Sequence, residues 1–232
     1  MAKSSIVVSG MIATDPHQGG ATWAVLQYVL GFGRLGHDVY FIEPVRTQAI
    51  RPTGAPLAES VNADYFRRVA DDFGLESNAA LLREGTRETV GAPYEQLVRI
   101  AGRADLLVNI SGMLTDPELT GPISTRVYLD LDPAFNQLWH TQGVDMRFAG
   151  HTHFVTIGQA IGRSDCAVPT CGLNWISTHQ PIALDRWPVA GPIFHDAFTT
   201  VGNWRGYGSV ENGGVFYGQK AHSLRKLITL PR

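Results

Sequence analysis

The stretch IVVSGMIATDPHQGGATWAVLQYVLGFGRLGHDVYFIEP, residues 6–44, decides the fold. It opens on Ile6-Val7-Val8-Ser9-Gly10-Met11-Ile12, a short apolar run rich in β-branched side chains that reads as a buried strand. Ala13 to Gly20 follows with aspartate, proline and a glycine pair, the composition of a loop. Thr22 reads as a helix cap, and Val25, Tyr28, Val29, Phe32 and Leu35 then recur at threes and fours until Gly36-His37 stops the helix. Val39 to Ile42 is a second strand. A strand, a helix and a second strand in so short a span open a parallel α/β sheet. Gly31 and Gly33 each cost about 1 kcal/mol in a helix against alanine, which predicts a close backbone approach at both.

Outward from that unit, the Pro/Gly-rich passage from Pro44 to Pro56 is too long for an ordinary connection and reads as a loop over a site. Val61, Tyr65, Val69 and Phe73 lie at intervals of four on a charged segment, a half-buried helix ending at Gly74. A further helix starts with Pro93 in its first turn, carries Tyr94, Leu97, Val98 and Ala101, and ends around Gly102-Arg103. Leu106 to Ile110 and Val127 to Leu131 are two more buried strands. The alternation predicts a Rossmann-like, doubly wound parallel sheet with helices on both faces. The character changes near residue 150. After the strand-like His153 to Gly158, Cys171 to Pro192 looks like an extended crossing segment, Ala197 to Val201 is strand-like, and Lys220 to Leu227 has helical spacing. The expected division is a domain over 1–172, a crossing segment over 173–196, and the first strand and helix of an incomplete second α/β domain over 197–232. An incomplete domain would expose apolar surface around Val201, Phe216, Leu224 and Leu227 and favour self-association.

Composition narrows the class. At 44% hydrophobic and 17% charged residues, the chain can bury a core and is neither disordered nor coiled-coil. A formal charge of -2, with no Lys/Arg run longer than two, gives no sign of a nucleic-acid or anionic-membrane partner. No apolar stretch reaches the roughly 20 residues of a membrane span, and only two cysteines, Cys166 and Cys171, occur, so a reducing cytoplasm is expected.

In such sheets ligands bind beyond the carboxyl ends of the strands. His17 lies on the loop after the first strand, and imidazole is the side chain whose charge changes near neutral pH, as a general base requires. A solvated loop histidine is the plainer alternative. Gly19 and Gly20 ahead of a helix suit an anion or a sugar hydroxyl, or simply a tight turn. Asp132 leaves a buried strand before Pro133; it caps the next helix, or it orients His17 or faces a substrate hydroxyl. Asp130 lies on the same side of that strand. With Thr22, Asn136 and His153, the two glycines complete the candidate substrate-binding set. His151, His153, Cys166 and Cys171 invite a zinc reading, but their spacing departs from the usual pairing and no metal is expected. Trp175, Trp187 and Trp204, with His179, suit either core packing or sugar stacking. Glu43 mimics the acid that binds an adenine ribose, but the G-x-G-x-x-G fingerprint it needs is missing, so a nicotinamide enzyme rests on fold alone.

The opening stretch resembles the first strand, glycine loop and helix of two-domain glycosyltransferases of the GT-B architecture. YLDLDPAFNQLW, CGLNWISTHQPIALDRWP and FTTVGNWRGYG, followed by YGQKAHSLRKLITLP, are similar to bacterial members of that family in the same order. The resemblance implies an acceptor small molecule or glycan on the first domain and a nucleotide-sugar donor on the second, with no cofactor or metal besides. It matches His17 to the catalytic base of many inverting members, with Asp132 as its partner. Thr200, Gly202, Asn203 and Trp204 would face the donor, and the missing remainder of the donor domain would leave the chain inactive alone. A non-catalytic carbohydrate-binding or interaction domain is the alternative.

Overall fold

Ser5–Ser9 forms β1 and Asp38–Val45 forms β2, paired in parallel with Ile6 level with Val39. The computed structural model, which describes residues 2–189, 191–192, 208–218 and 224–229, joins them through α1, Gly19–Arg34. The chain continues through α2 (Val61–Phe73), β3 (Ala79–Arg83), β4 (Thr89–Gly91) and α3 (Tyr94–Ala101). β5 (Leu106–Ile110), α4 (Pro117–Thr120), β6 (Thr125–Asp130), α5 (Phe135–Thr141), β7 (His153–Thr156) and β8 (Trp175–Ser177) follow. The strands form one eight-stranded sheet in the order β4-β3-β2-β1-β5-β6-β7-β8. Every neighbouring pair is parallel except β3 with β4.

Period-two alternation sends Ile6, Val8, Phe41, Leu81 and Val108 to one face, where Val25 and Leu26 of α1 and Phe66 of α2 cover them. Val7, Ile42, Leu82 and Leu107 line the other, under Tyr94, Leu97 and Ile100 of α3. Strands covered on both faces read as unbroken apolar runs, as the sequence does here. The fold is therefore Rossmann-like, with helices on both faces of a mostly parallel sheet. The ends of α2 follow from local chemistry: the Ser60 hydroxyl accepts the Ala63 N–H (3.0 Å), and Gly74 takes the left-handed conformation (φ 65°) that ends the helix.

Four local expectations are corrected. Thr22 does not cap α1: its N–H already bonds to the Gln18 carbonyl (3.0 Å), so Gly19 and Gly20 are the first turn of the helix rather than a loop before it. Gly31 and Gly33 are not points of close approach, because a Cβ at either would meet nothing within 4 Å. Asp132 does not cap α5; its N–H donates to Asp130 Oδ1 (2.9 Å), a turn that ends β6 one residue early and delays the helix until after Ala134. Part of the expected crossing segment, Trp175–Ser177, is the edge strand β8.

Beyond β8 the chain runs back over α1. The Ala183 N–H donates to Gln27 Oε1, Asp185 pairs with Arg34 (2.8 Å), and the Trp187 ring lies 5.0 Å from that of Trp23. β9 (Val210–Asn212) and β10 (Val215–Tyr217) form an antiparallel hairpin, and Gln142, next to α5, donates its Nε2–H to the Glu211 carbonyl (3.2 Å). Phe216, Leu224 and Leu227 are exposed. The strand expected at 197–201, with Thr200 and Val201, lies outside the described residues, as do Gly202, Asn203 and Trp204. Among the described residues no helix is long and apolar enough to cross a membrane.

Candidate functional site

The sheet order reverses direction between β1 and β5, and the loops leaving the carboxyl ends of those strands part there, which is where ligands enter open α/β sheets. Two buried side chains fix the loop after β1. Glu43, inside β2, takes the N–H of Ala13 (2.8 Å) and of Thr14 (2.6 Å) on Oε1, and that of Ala13 again (2.9 Å) on Oε2. Asn62, in the first turn of α2, donates Nδ2–H to the Ala13 carbonyl (2.7 Å) and accepts the Arg51 N–H on Oδ1 (2.8 Å). Asn62 thus ties the loop after β1 to the loop after β2.

Burial pushes the Glu43 carboxyl up to about 7, against the pull of the Ala13 and Thr14 N–H groups. Its ordinary value is 4.5, so between pH 4.5 and about 7 the folded chain holds a proton that the unfolded chain has released. Stability from this group is therefore complete below pH 4.5 and is lost as pH rises through 7, by on the order of 3 kcal/mol. Urea unfolding across this range should show the stability difference between the native chain and Glu43→Gln shrinking by that amount as pH rises. Parallel profiles would mean that Glu43 keeps one protonation state throughout.

Beside this loop lies a cavity of about 590 Å³. Thr14 lines it from the loop after β1, Glu84 from the turn after β3, and Ser111 and Met113 from the loop after β5. The end of β2 contributes Pro44 and the loop after it Arg46, Ala49 and Arg51, so the long Pro44 to Pro56 passage does form a wall over a pocket. Asp145, Met146 and Arg147 close the remaining side. Ser111 (φ 52°) and Arg147 (φ 59°) are both left-handed, a conformation that costs a non-glycine residue roughly 1 kcal/mol or more. Between them in space, Gly112 (φ 62°) is required, because a Cβ there would lie 2.9 Å from Arg147 Cβ and 3.0 Å from Tyr128 Cε2.

His17 stands exposed at the end of the loop after β1, left-handed at φ 69°, with its ring edge-on to Tyr65 at 4.9 Å. The Tyr65 hydroxyl is hydrogen-bonded to Thr22 Oγ1 (2.9 Å), so Thr22 supports the histidine's neighbour from inside α1. Gly19 and Gly20 begin that helix, and a side chain on either would enter open space. Asp132 is exposed after β6, and partial burial of its carboxyl, with the Asp130 charge, holds its pKa above the ordinary carboxylate value. Among the described residues no hydrogen bond or ion pair joins Asp132 to His17.

Two other candidates face elsewhere. Asn136 is buried and donates Nδ2–H to Asp130 Oδ1 (2.7 Å). His153 opens β7 level with Val127, at the amino end of its strand, with Nδ1 2.9 Å from Thr152 Oγ1. The histidines and cysteines do not converge. Asn109 Nδ2 lies 3.0 Å from His151 Nε2, Cys171 Sγ donates to the Gln137 carbonyl (3.4 Å), and burial lowers the His151 pKa and raises that of Cys171. Among the described residues no group of three or more His, Cys, Asp or Glu side chains is placed to hold a metal ion. Trp175 packs against Phe148 and Phe154, whereas Trp187 remains half exposed on Trp23.

No protein-family model matches the chain, and no match is found among curated proteins. Sequence reasoning passed over Asn62 and the arginine-lined cavity. Asn62 sits on the buried side of a helix read only from its apolar positions, and Arg147 joins Arg46 and Arg51 from about a hundred residues further along the chain.

Proposed function

We propose that this chain is the acceptor-side domain of a glycosyltransferase that uses a nucleotide-sugar donor, with His17 as the base. The carrying observation is the placement of His17. An exposed imidazole is held in a left-handed turn in the loop beyond the carboxyl end of the first strand of a Rossmann-like sheet, with Tyr65 against one side of its ring. As the acceptor oxygen attacks the anomeric carbon and the nucleoside diphosphate leaves, His17 takes the hydroxyl proton. Because Asp132 makes no bond to it, Tyr65 is the ring's positioning contact. Free Cys166 and Cys171 suit a reducing cytoplasm, where nucleotide sugars are made available.

The test is thermal unfolding of this chain, and of the longest reading frame that contains it, with UDP-, GDP- and dTDP-sugars. A donor at 100 times its dissociation constant stabilises its binder by about 2.7 kcal/mol, a rise of several degrees in Tm. A rise in the longer form is the expected result; no rise in either form with any donor removes the reading. A second reading, a non-catalytic carbohydrate-binding domain, is favoured by the half-exposed Trp23–Trp187 pair. Saturable acceptor binding without transfer would support it.

A further inference from the structure

We propose that the cavity between the loops after β2, β3 and β5 is an oxyanion site. It takes a phosphate or carboxylate group between Arg51, Arg46 and Arg147, with the uncharged body of the same small molecule against Met113, Met146 and Pro44. The chain as a whole carries a formal charge of -2. This cavity runs against that balance: its walls hold three guanidinium groups against the carboxylates of Glu84 and Asp145.

Those carboxylates leave much of the guanidinium surface unused. Glu84 is shared, with Oε2 taking Arg46 Nε–H at 3.2 Å and Oε1 lying 3.6 Å from Arg147 Nη2, beyond hydrogen-bond range. Asp145 Oδ1 accepts the backbone N–H of Arg147 (2.8 Å) rather than a guanidinium. Arg51 has no carboxylate partner among the described residues. Its Nη1 is steered by the carbonyls of Gln48 (2.6 Å) and Ile50 (3.2 Å), and its backbone is pinned by Asn62. Arg147 is likewise anchored through Nη1 to the Met113 carbonyl (3.1 Å). A guanidinium offers five N–H donors in a planar fork matched to two oxygens of one anion, and each of these three keeps donors to spare.

The size also fits, because small-molecule sites commonly span about 300–1,000 Å³ and combine an apolar floor with a few converging polar groups. The left-handed backbone at Ser111 and Arg147 is strain of the kind retained where a loop must present a group to a ligand. This binding requires no donor nucleotide and is separate from sugar transfer.

Calorimetric titration with inorganic phosphate, glucose 6-phosphate, glucuronate and glucose tests it at low salt. At least one anion should saturate, glucose should bind at least about tenfold more weakly than the better of its two charged counterparts, and sodium chloride should weaken the anion. The tighter of glucose 6-phosphate and glucuronate identifies the group as phosphate or carboxylate. Arg51→Gln should weaken that ligand by about tenfold or more with Tm unchanged, and Arg163→Gln, at an exposed pair with Asp165, should not. Saturation by none of the anions, equal binding of glucose, or full affinity in Arg51→Gln would overturn the site. None of these outcomes bears on the donor-sugar test above.

Discussion

Asp130→Ala should remove about 4 kcal/mol of folding stability, a large share of the 5–15 kcal/mol that holds an ordinary domain together. The Asp130 side chain is fully buried at the end of β6 and accepts four donors. Oδ1 takes the Asp132 N–H (2.9 Å) and Asn136 Nδ2 (2.7 Å), and Oδ2 takes Gln137 Nε2 (2.8 Å) and the Thr156 hydroxyl (2.8 Å). One carboxylate therefore joins β6, the turn behind it, α5 and β7. Deleting it strands those donors away from water, and each unsatisfied buried group costs about 1–3 kcal/mol before the site relaxes. Asp130→Asn keeps one oxygen but turns an NH₂ toward two donors, so about half the loss is expected. Urea unfolding followed by circular dichroism measures both. A loss below about 1 kcal/mol in Asp130→Ala would show that the four donors find other partners.

His17→Ala should lower the rate of sugar transfer by about 10²- to 10⁴-fold in the longest reading frame, with acceptor affinity little changed, because a base acts on the proton in flight rather than on ground-state binding. The left-handed backbone complicates alanine, which tolerates φ 69° poorly. His17→Asn is the sharper variant: asparagine enters that region readily but offers no base near neutral pH. Equal rate losses in both, with Tm preserved in the asparagine form, assign the effect to lost proton transfer. An unchanged rate in His17→Asn removes His17 as the base and leaves the loop a structural element.

How much of this could be read in advance depended on whether the cause was local. α2 was legible because the four-residue apolar spacing from Val61 to Phe73 and the stop at Gly74 are local signals, while its Ser60 cap emerged only in the structure. β3 was not: Ala79-Ala80-Leu81-Leu82 lacks β-branched side chains and becomes a strand only because β2 offers it a parallel edge. β4 and α4 span three and four residues, too short for periodicity to show. At the site, the loop bearing His17 and the wall from Pro44 to Pro56 were visible as breaks in the apolar pattern. Glu43 was noticed for the wrong reason. Its position just after the apolar run Val39 to Ile42 suggested a ribose ligand, but its side chain turns inward and holds the backbone of the neighbouring loop. Arg51 and Arg147 line one cavity only because the loop after β2 and the segment between α5 and β7 lie near each other in the fold, which no linear pattern encodes.

The return of residues 183–187 over α1 also bears on how the chain is made. Gln27 receives the Ala183 N–H across 156 residues of sequence. A ribosome adds about 5–20 residues per second, so the outer face of α1, with Trp23, emerges on the order of ten seconds before the segment that covers it. During that interval the strands from β1 to β6 can assemble from nearer partners while an apolar helix face stays open to water. This stitch is thus a late one, and the nascent protein carries an exposed apolar flank until Ala183 and Trp187 arrive.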